Sequence, residues 1–261
     1  MASNPLRIFL IGGHGRVALS FTRQAVSSGH AIISQIRNPD HASDITNFKG
    51  SGTVQPLLES VEDLDVNRLK GLFEQHKPNV ILWTAGAGGK GGEERTRAVD
   101  RDAAIRVFDA IEASGISKSS DFIRFVLLSA IDVRNIETTK PDWYTPEDFE
   151  KSAGMRKALP AYMQAKYEAD QNLSQRKAFP WTVLRPSTLL NDAGTGQVAL
   201  AERGRIGISV PRDDVAATLL AISELPVRQA DSQMWDLTAG KKDVKSAVEN
   251  AAQQARSDWV G

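Results

Sequence analysis

The stretch Leu10-Ile11-Gly12-Gly13-His14-Gly15-Arg16-Val17-Ala18 leaves an apolar run and enters a segment of helical period within one turn. Such a turn presents backbone N–H groups at a helix start, where partial positive charge collects, and its glycines let an anion approach the backbone. From Gly13 it reads Gly-x-Gly-x-x-Ala, and Ala18 is small enough for the helix to pack on the strand. The pattern alone is weak. Its position at a first strand-to-helix turn makes it a candidate cradle for a dinucleotide pyrophosphate, with Gly12, Gly13, His14, Gly15, Arg16 and Val17 as the contacts.

The rest of the chain repeats that alternation. Apolar runs of strand length occur at 7–11, 31–36, 53–57, 79–84, 122–129 and 181–185, and segments of helical period at 18–28, within 61–75 and at 98–114. Strand, helix, strand throughout implies an α/β fold, a doubly wound, mostly parallel sheet of the Rossmann type covered on both faces. The 261 residues suit one domain, with residues from about 187 to 261 contributing a small substrate-side lobe. Two segments break the rhythm: 86–92, five glycines in seven residues, and 135–159, polar with Trp143, Tyr144 and Pro146, either a substrate lid or a surface insertion. Residues 241–259 form an amphipathic helix expected to dock on the core.

Composition closes off several classes. Lysine plus arginine equals aspartate plus glutamate, 32 each, so no global field favours nucleic acid or an anionic membrane. The absence of cysteine excludes disulfides and a thiolate nucleophile, and the four histidines lack metal-ligand spacing, so no metal is expected. The apolar run at 6–11 is too short for a membrane span, and a cytoplasmic setting is the expectation. No Gly-x-Ser-x-Gly elbow appears.

The second strand ends Gln35-Ile36-Arg37-Asn38, roughly 20 residues past the loop, where an NAD-preferring site places an acid on the ribose diol. Arg37 stands there instead and suits a 2′-phosphate, with Arg16 as a possible helper, so the expected cofactor is NADP(H). Ala85, Gly86 and Ala87 supply small residues where the adenosine half would cross the strand ends. Lys90 invites a P-loop reading, but Thr84 and Gly91 occupy the positions that need Gly and Ser or Thr.

Tyr162 and Lys166, four apart in a helical segment, share one face, and a neighbouring ammonium lowers a phenol's pKa toward use in proton transfer. Asp213 and Asp214 follow Pro211 as caps of the next helix.

With the glycine loop, Ala85-Gly86, the run from Phe125 to Ser129, Tyr162 with Lys166, Leu184-Arg185-Pro186 and the run from Val210 to Ala216, the chain resembles the atypical and extended short-chain dehydrogenase/reductases, close to their NmrA-like and epimerase-type members. The resemblance implies that Tyr162 passes the proton, that Lys166 also holds the nicotinamide ribose, that Ser129 is the catalytic serine, and that Pro186, Ser187 and Thr188 lie beside the nicotinamide. Two positions depart from the family pattern: Ala130 follows Ser129 where the serine usually stands one residue later, and Asp100 aligns with a relay asparagine, as a partner of Arg101 or a surface charge. The expected function is an NADP(H)-dependent reductase or dehydrogenase of a small carbonyl or enone substrate. The competing readings are a cofactor sensor without turnover and an epimerase; Tyr162 with Lys166 is what a pure sensor has no need to keep. Dimeric relatives pair helices like 98–114 and 162–175, so a homodimer is a further expectation.

Overall fold

The computed structural model describes residues 5–88 and 91–261, so Lys90 and the P-loop question attached to it lie outside the described residues. The elements run β1 (Arg7–Ile11), α1 (Arg16–Ser27), β2 (Ala31–Ile36), α2 (Ala42–Thr46), β3 (Thr53–Leu58), α3 (Val66–His76), β4 (Val80–Trp83), α4 (Gly92–Arg97) and α5 (Ala104–Ser114) in the first half. The second half has β5 (Arg124–Leu128), α6 (Pro146–Ala158), α7 (Pro160–Ser174), β6 (Trp181–Pro186), β7 (Leu189–Leu190), β8 (Gln197–Leu200), β9 (Val210–Pro211), α8 (Arg212–Glu224), β10 (Gln233–Ala239), β11 (Lys242–Asp243) and α9 (Val244–Gln254).

The main sheet is ordered β3-β2-β1-β4-β5-β6-β10-β8-β11, parallel from β3 to β10, with β8 antiparallel to both of its neighbours. Strand alternation feeds two cores. Ile8 and Leu10 of β1, with Leu82 and Val126, pack under α1, α8 and α9, whereas Phe9 and Ile11, with Trp83 and Phe125, pack under α3, α5 and α7. This double coverage explains why the central strands read as continuous apolar runs. Strand order reverses between β1 and β4, and the crevice beyond their carboxyl ends is where doubly wound sheets bind ligands.

The C-terminal third extends the same sheet through β10, β8 and β11. Within the expected C-terminal helix, α9 starts at Val244, capped by Asp243, and docks through Val244, Ala247, Val248 and Ala251. Segment 135–159 contains α6, begun by a Thr145/Asp148 capping box, and is anchored by Ser152 Oγ donating to Asp132 at 2.6 Å and by an Arg205–Asp148 ion pair. Asp213 and Asp214 lie in the first turn of α8 but bond other segments: Asp213 takes Ser20 and Arg23, and Asp214 takes the amides of Thr195 and Gly196 at 2.9 and 2.8 Å. The expected capping role is thus replaced by cross-linking of α1 and the 194–196 turn to α8.

Candidate active site

The glycine turn is fastened from beneath by Gln35, whose side-chain oxygen accepts the Gly12 amide at 3.0 Å and whose backbone oxygen accepts the Gly13 amide at 2.8 Å. Gly15 is the N-cap of α1 and contributes no capping side chain, and the first turn carries no acid. A helix start leaves its first amides without intrahelical acceptors, so this one is open to an anion. A Cβ at Gly15 would meet nothing nearer than the Gly12 carbonyl at 3.6 Å, which leaves its face free for a diphosphate. The residues present therefore fit a dinucleotide.

Two hollows join at this turn, of about 240 Å³ and about 310 Å³, sharing Gly15, Thr84, Ala85 and Gly86. The first holds Gly12, Gly13, His14, Arg37, Ala87 and also Glu62 and Arg95. Arg37 reaches Glu62 at 3.6 Å, and Arg95 reaches the same carboxylate at 2.8 Å, which lowers the Glu62 pKa. An acid is therefore present near the end of β2 after all, delivered by the loop after β3, where no local spacing announces it. His14 Nε2 donates to Asp44 Oδ2 at 2.7 Å, and the ring stacks on His41 with centroids 3.5 Å apart.

The second hollow is lined by Gly15, Arg16, Val17, Asp100, Ser129, Tyr162, Lys166, Pro186 and Arg212. The phenol and the ammonium do share a face, with Lys166 Nζ 5.9 Å from the Tyr162 ring centroid. Lys166 Nζ donates to the Leu128 carbonyl at 3.3 Å and pairs with Asp100 at 3.4 Å. Asp100 is neither the partner of Arg101 nor a surface charge: it is buried, and its other oxygen accepts the Ala87 amide at 2.9 Å. A π-helical turn over Ala98–Ala103 between α4 and α5 turns Asp100 inward, and such turns recur at functional sites. Burial opposes the Lys166 charge, but Asp100, Tyr162 and Asp170 outweigh it and raise the pKa of the ammonium. For Tyr162 burial is the larger influence and raises the phenol; Lys166 works against this, and Asp100 and Asp170 add to it. Without cofactor the phenol thus holds its proton.

Ser129 is buried and donates its hydrogen to Asp170 Oδ2 at 2.7 Å. Asp170 lies four residues beyond Lys166 on the same face of α7, a spacing that would have found it, and burial lifts its pKa to about 6 against the opposing Arg185, Ser129 and Lys166. With Asp170 ionised, Ser129 has only lone pairs to offer the hollow. Ser187 and Thr188 do not line the hollow: the Ser187 hydroxyl is spent on the Ile208 carbonyl, and Thr188 is exposed. Arg16 lines the second hollow and Arg37 the first, and Arg16 Nη1 donates to Asn191 Oδ1 at 3.0 Å. None of residues 135–159 lines either hollow.

The profile of the family described as NAD(P)H-binding matches residues 12–226. The chain belongs to this NAD(P)H-binding family. The match runs from the glycine turn to just past α8 and so includes both hollows. A UPF0659 protein of Schizosaccharomyces pombe is 35% identical over 98% of this chain and 99% of its own length. A Bacillus subtilis protein named as an uncharacterized sugar epimerase, YhfK, is 29% identical over 93% of this chain and 99% of its own. Among solved structures, the oxidoreductase ylbE of Lactococcus lactis superposes with a TM-score of 0.73 at 21% identity, covering 96% of this chain and 99% of that one; it shares the fold of this NAD(P)H-binding protein. No helix among the described residues is long and apolar enough to cross a membrane.

Proposed function

We propose that the protein is an NADP(H)-dependent oxidoreductase that reduces a small carbonyl or enone substrate, with Tyr162 as the proton donor. The observation that carries this reading is the convergence, in the hollow next to an uncapped α1, of a phenol held protonated and an ammonium anchored by Asp100. The chemistry that a nicotinamide supplies when bound is hydride transfer. Tyr162 then delivers the proton to the substrate oxygen, and Lys166, charged beside it, stabilises the phenolate left behind. Asp100 keeps Lys166 in place and ties it to the Ala87 backbone, which tethers the ammonium to the wall of the cofactor groove. Asp170 holds Ser129 as an acceptor, oriented to receive a hydrogen bond from the phenol or from a substrate hydroxyl.

The test is an NADPH-oxidation screen over aldehydes, ketones, quinones and enones, repeated with Tyr162→Phe on any substrate found. The variant keeps the ring and loses the proton, so cofactor affinity is expected to persist while turnover falls by roughly 10²–10⁴-fold, the range for a lost general acid. Full turnover in Tyr162→Phe would remove the phenol from the reaction. An epimerase that regenerates its own cofactor is the second reading, favoured by the name of the B. subtilis relative. It separates from the first because its product forms with no net NADPH consumed.

A further inference from the structure

Arg16 opens α1 and Arg212 opens α8, and their side chains meet on one neutral acceptor. Asn191 Oδ1 receives Arg16 Nη1 at 3.0 Å and Arg212 Nη1 at 2.7 Å, and Arg212 also donates to the Leu189 carbonyl at 3.2 Å. Among the described residues neither guanidinium is paired with a carboxylate, and the acids that follow Arg212 are engaged elsewhere, Asp213 by Ser20 and Arg23, Asp214 by the 195–196 amides. Two like charges brought to one amide oxygen repel, and burial together with the Arg16 charge lowers the pKa of Arg212. The first turn of α1, with neither a capping side chain nor an acid, adds partial positive charge beside Arg16, whereas Asp213 and Asp214 offset that of α8.

The position of the pair relative to the glycine turn decides what it faces. Gly15 borders both hollows, whereas Arg16 and Arg212 line only the one that holds Tyr162, Lys166 and Ser129. A diphosphate seated on Gly15 lies at the junction, and the two guanidinium forks stand beyond it on the phenol side. We propose that Arg16 and Arg212 form an oxyanion subsite for an acidic group of the substrate, a carboxylate or phosphate borne by the carbonyl compound. The inference rests on the dinucleotide reading of the groove. Planar guanidinium donors match carboxylate and phosphate oxygens in pairs, and an oxyanion supplies the neutralisation that the Asn191 amide lacks.

The experiment is calorimetric titration of inorganic phosphate into NADPH-saturated protein, with Arg16→Gln, Arg212→Gln and Arg212→Lys beside the wild type and thermal unfolding as the control of folding. Phosphate is expected to bind the loaded wild type. Each Gln variant should weaken it by about ten- to a hundred-fold, the scale of a lost charge-assisted contact. Arg212→Lys should recover part of the loss, and NADPH affinity should stay within about three-fold in both Arg212 variants. Phosphate that binds only cofactor-free protein and competes with NADPH would assign the pair to the cofactor's diphosphate and overturn the proposal, as would loaded protein that ignores phosphate or Gln variants that bind it undiminished. Wild type that fails to bind NADPH defeats the cofactor reading instead; phosphate binding to cofactor-free protein that survives both Gln substitutions then defeats this one.

Discussion

The three glycines of the phosphate turn do different work. Gly12 has φ +85° and a Cβ there would stand 2.6 Å from the Ala85 backbone; at Gly13 it would strike the Ser34 hydroxyl. Gly15, at φ −64° and ψ 150°, is in a conformation open to any residue, with space above it. Gly15→Val should therefore fold like the wild type in thermal melts yet show no dinucleotide binding by calorimetry, whereas Gly12→Ala should destabilise by roughly 1–3 kcal/mol. Undiminished binding in Gly15→Val would place the diphosphate elsewhere. At the other end of the groove, Arg37 lines the first hollow and meets Glu62 only at 3.6 Å, in an exposed and weak pair that a 2′-phosphate can displace. NADPH is expected to bind about ten- to a hundred-fold more tightly than NADH, and Arg37→Ala to remove most of that margin. Equal affinities in the wild type would reduce Arg37 to a partner of Glu62. Arg37 is legible from its spacing; Glu62 is not, because it reaches the site from another loop.

At the scale of elements, α7 carries Tyr162, Lys166 and Asp170 at successive intervals of four, and the π-helical turn carries Asp100 to meet them. Asp170 links this cluster to pH. Its folded pKa of about 6 lies above the ordinary carboxylate value, so the protonated form favours the fold. That contribution is complete below about pH 4 and is lost as the pH rises through about 6. Asp170→Asn imitates the protonated carboxyl, so its stability relative to wild type should grow between pH 5 and pH 8 by about 1.4 kcal/mol, the roughly one pKa unit of the shift that falls in this window. Urea unfolding at the two pH values reads the difference. A gap that is flat or shrinks with pH would mean that Lys166 and Arg185 keep Asp170 ionised. Helix periodicity predicts α5 and α7 correctly, but a π turn differs from an α turn by one residue of register and leaves no mark in hydrophobic spacing.

For the whole molecule, Arg124 is a fully buried side chain that joins the first half to the last. It lies on β5, and its guanidinium donates to the carbonyls of Leu225 at 3.1 Å, Pro226 at 2.7 Å and Gln229, beyond the end of α8. Burial pulls its pKa down to about 10 against the pull of Asp231, still well above neutral, so the charge stays and is satisfied by carbonyls. Arg124→Met keeps the length and strands those oxygens, with an expected loss of about 3–5 kcal/mol in denaturant unfolding. NADPH affinity should be unchanged, since β5 begins at the end of the sheet opposite the groove. A loss below about 1 kcal/mol would show that water satisfies the same carbonyls.

The sequence by itself determined the six strands from β1 to β6, the doubly wound class and the glycine turn, because apolar periodicity and the needs of a diphosphate are local constraints written in consecutive residues. It also placed Tyr162 beside Lys166, since four residues of helix fix that neighbourhood. Only the tertiary structure decided what each charge meets: Asp100 on Lys166, Asp170 on Ser129, Glu62 between two arginines, and Arg16 with Arg212 on Asn191. The short strands β7 to β11 were equally hidden. β10 pairs with the edge that β6 presents, β8 and β11 extend that edge, and β7 pairs with β9 in a separate two-stranded sheet; a partner distant in the chain leaves no period to read.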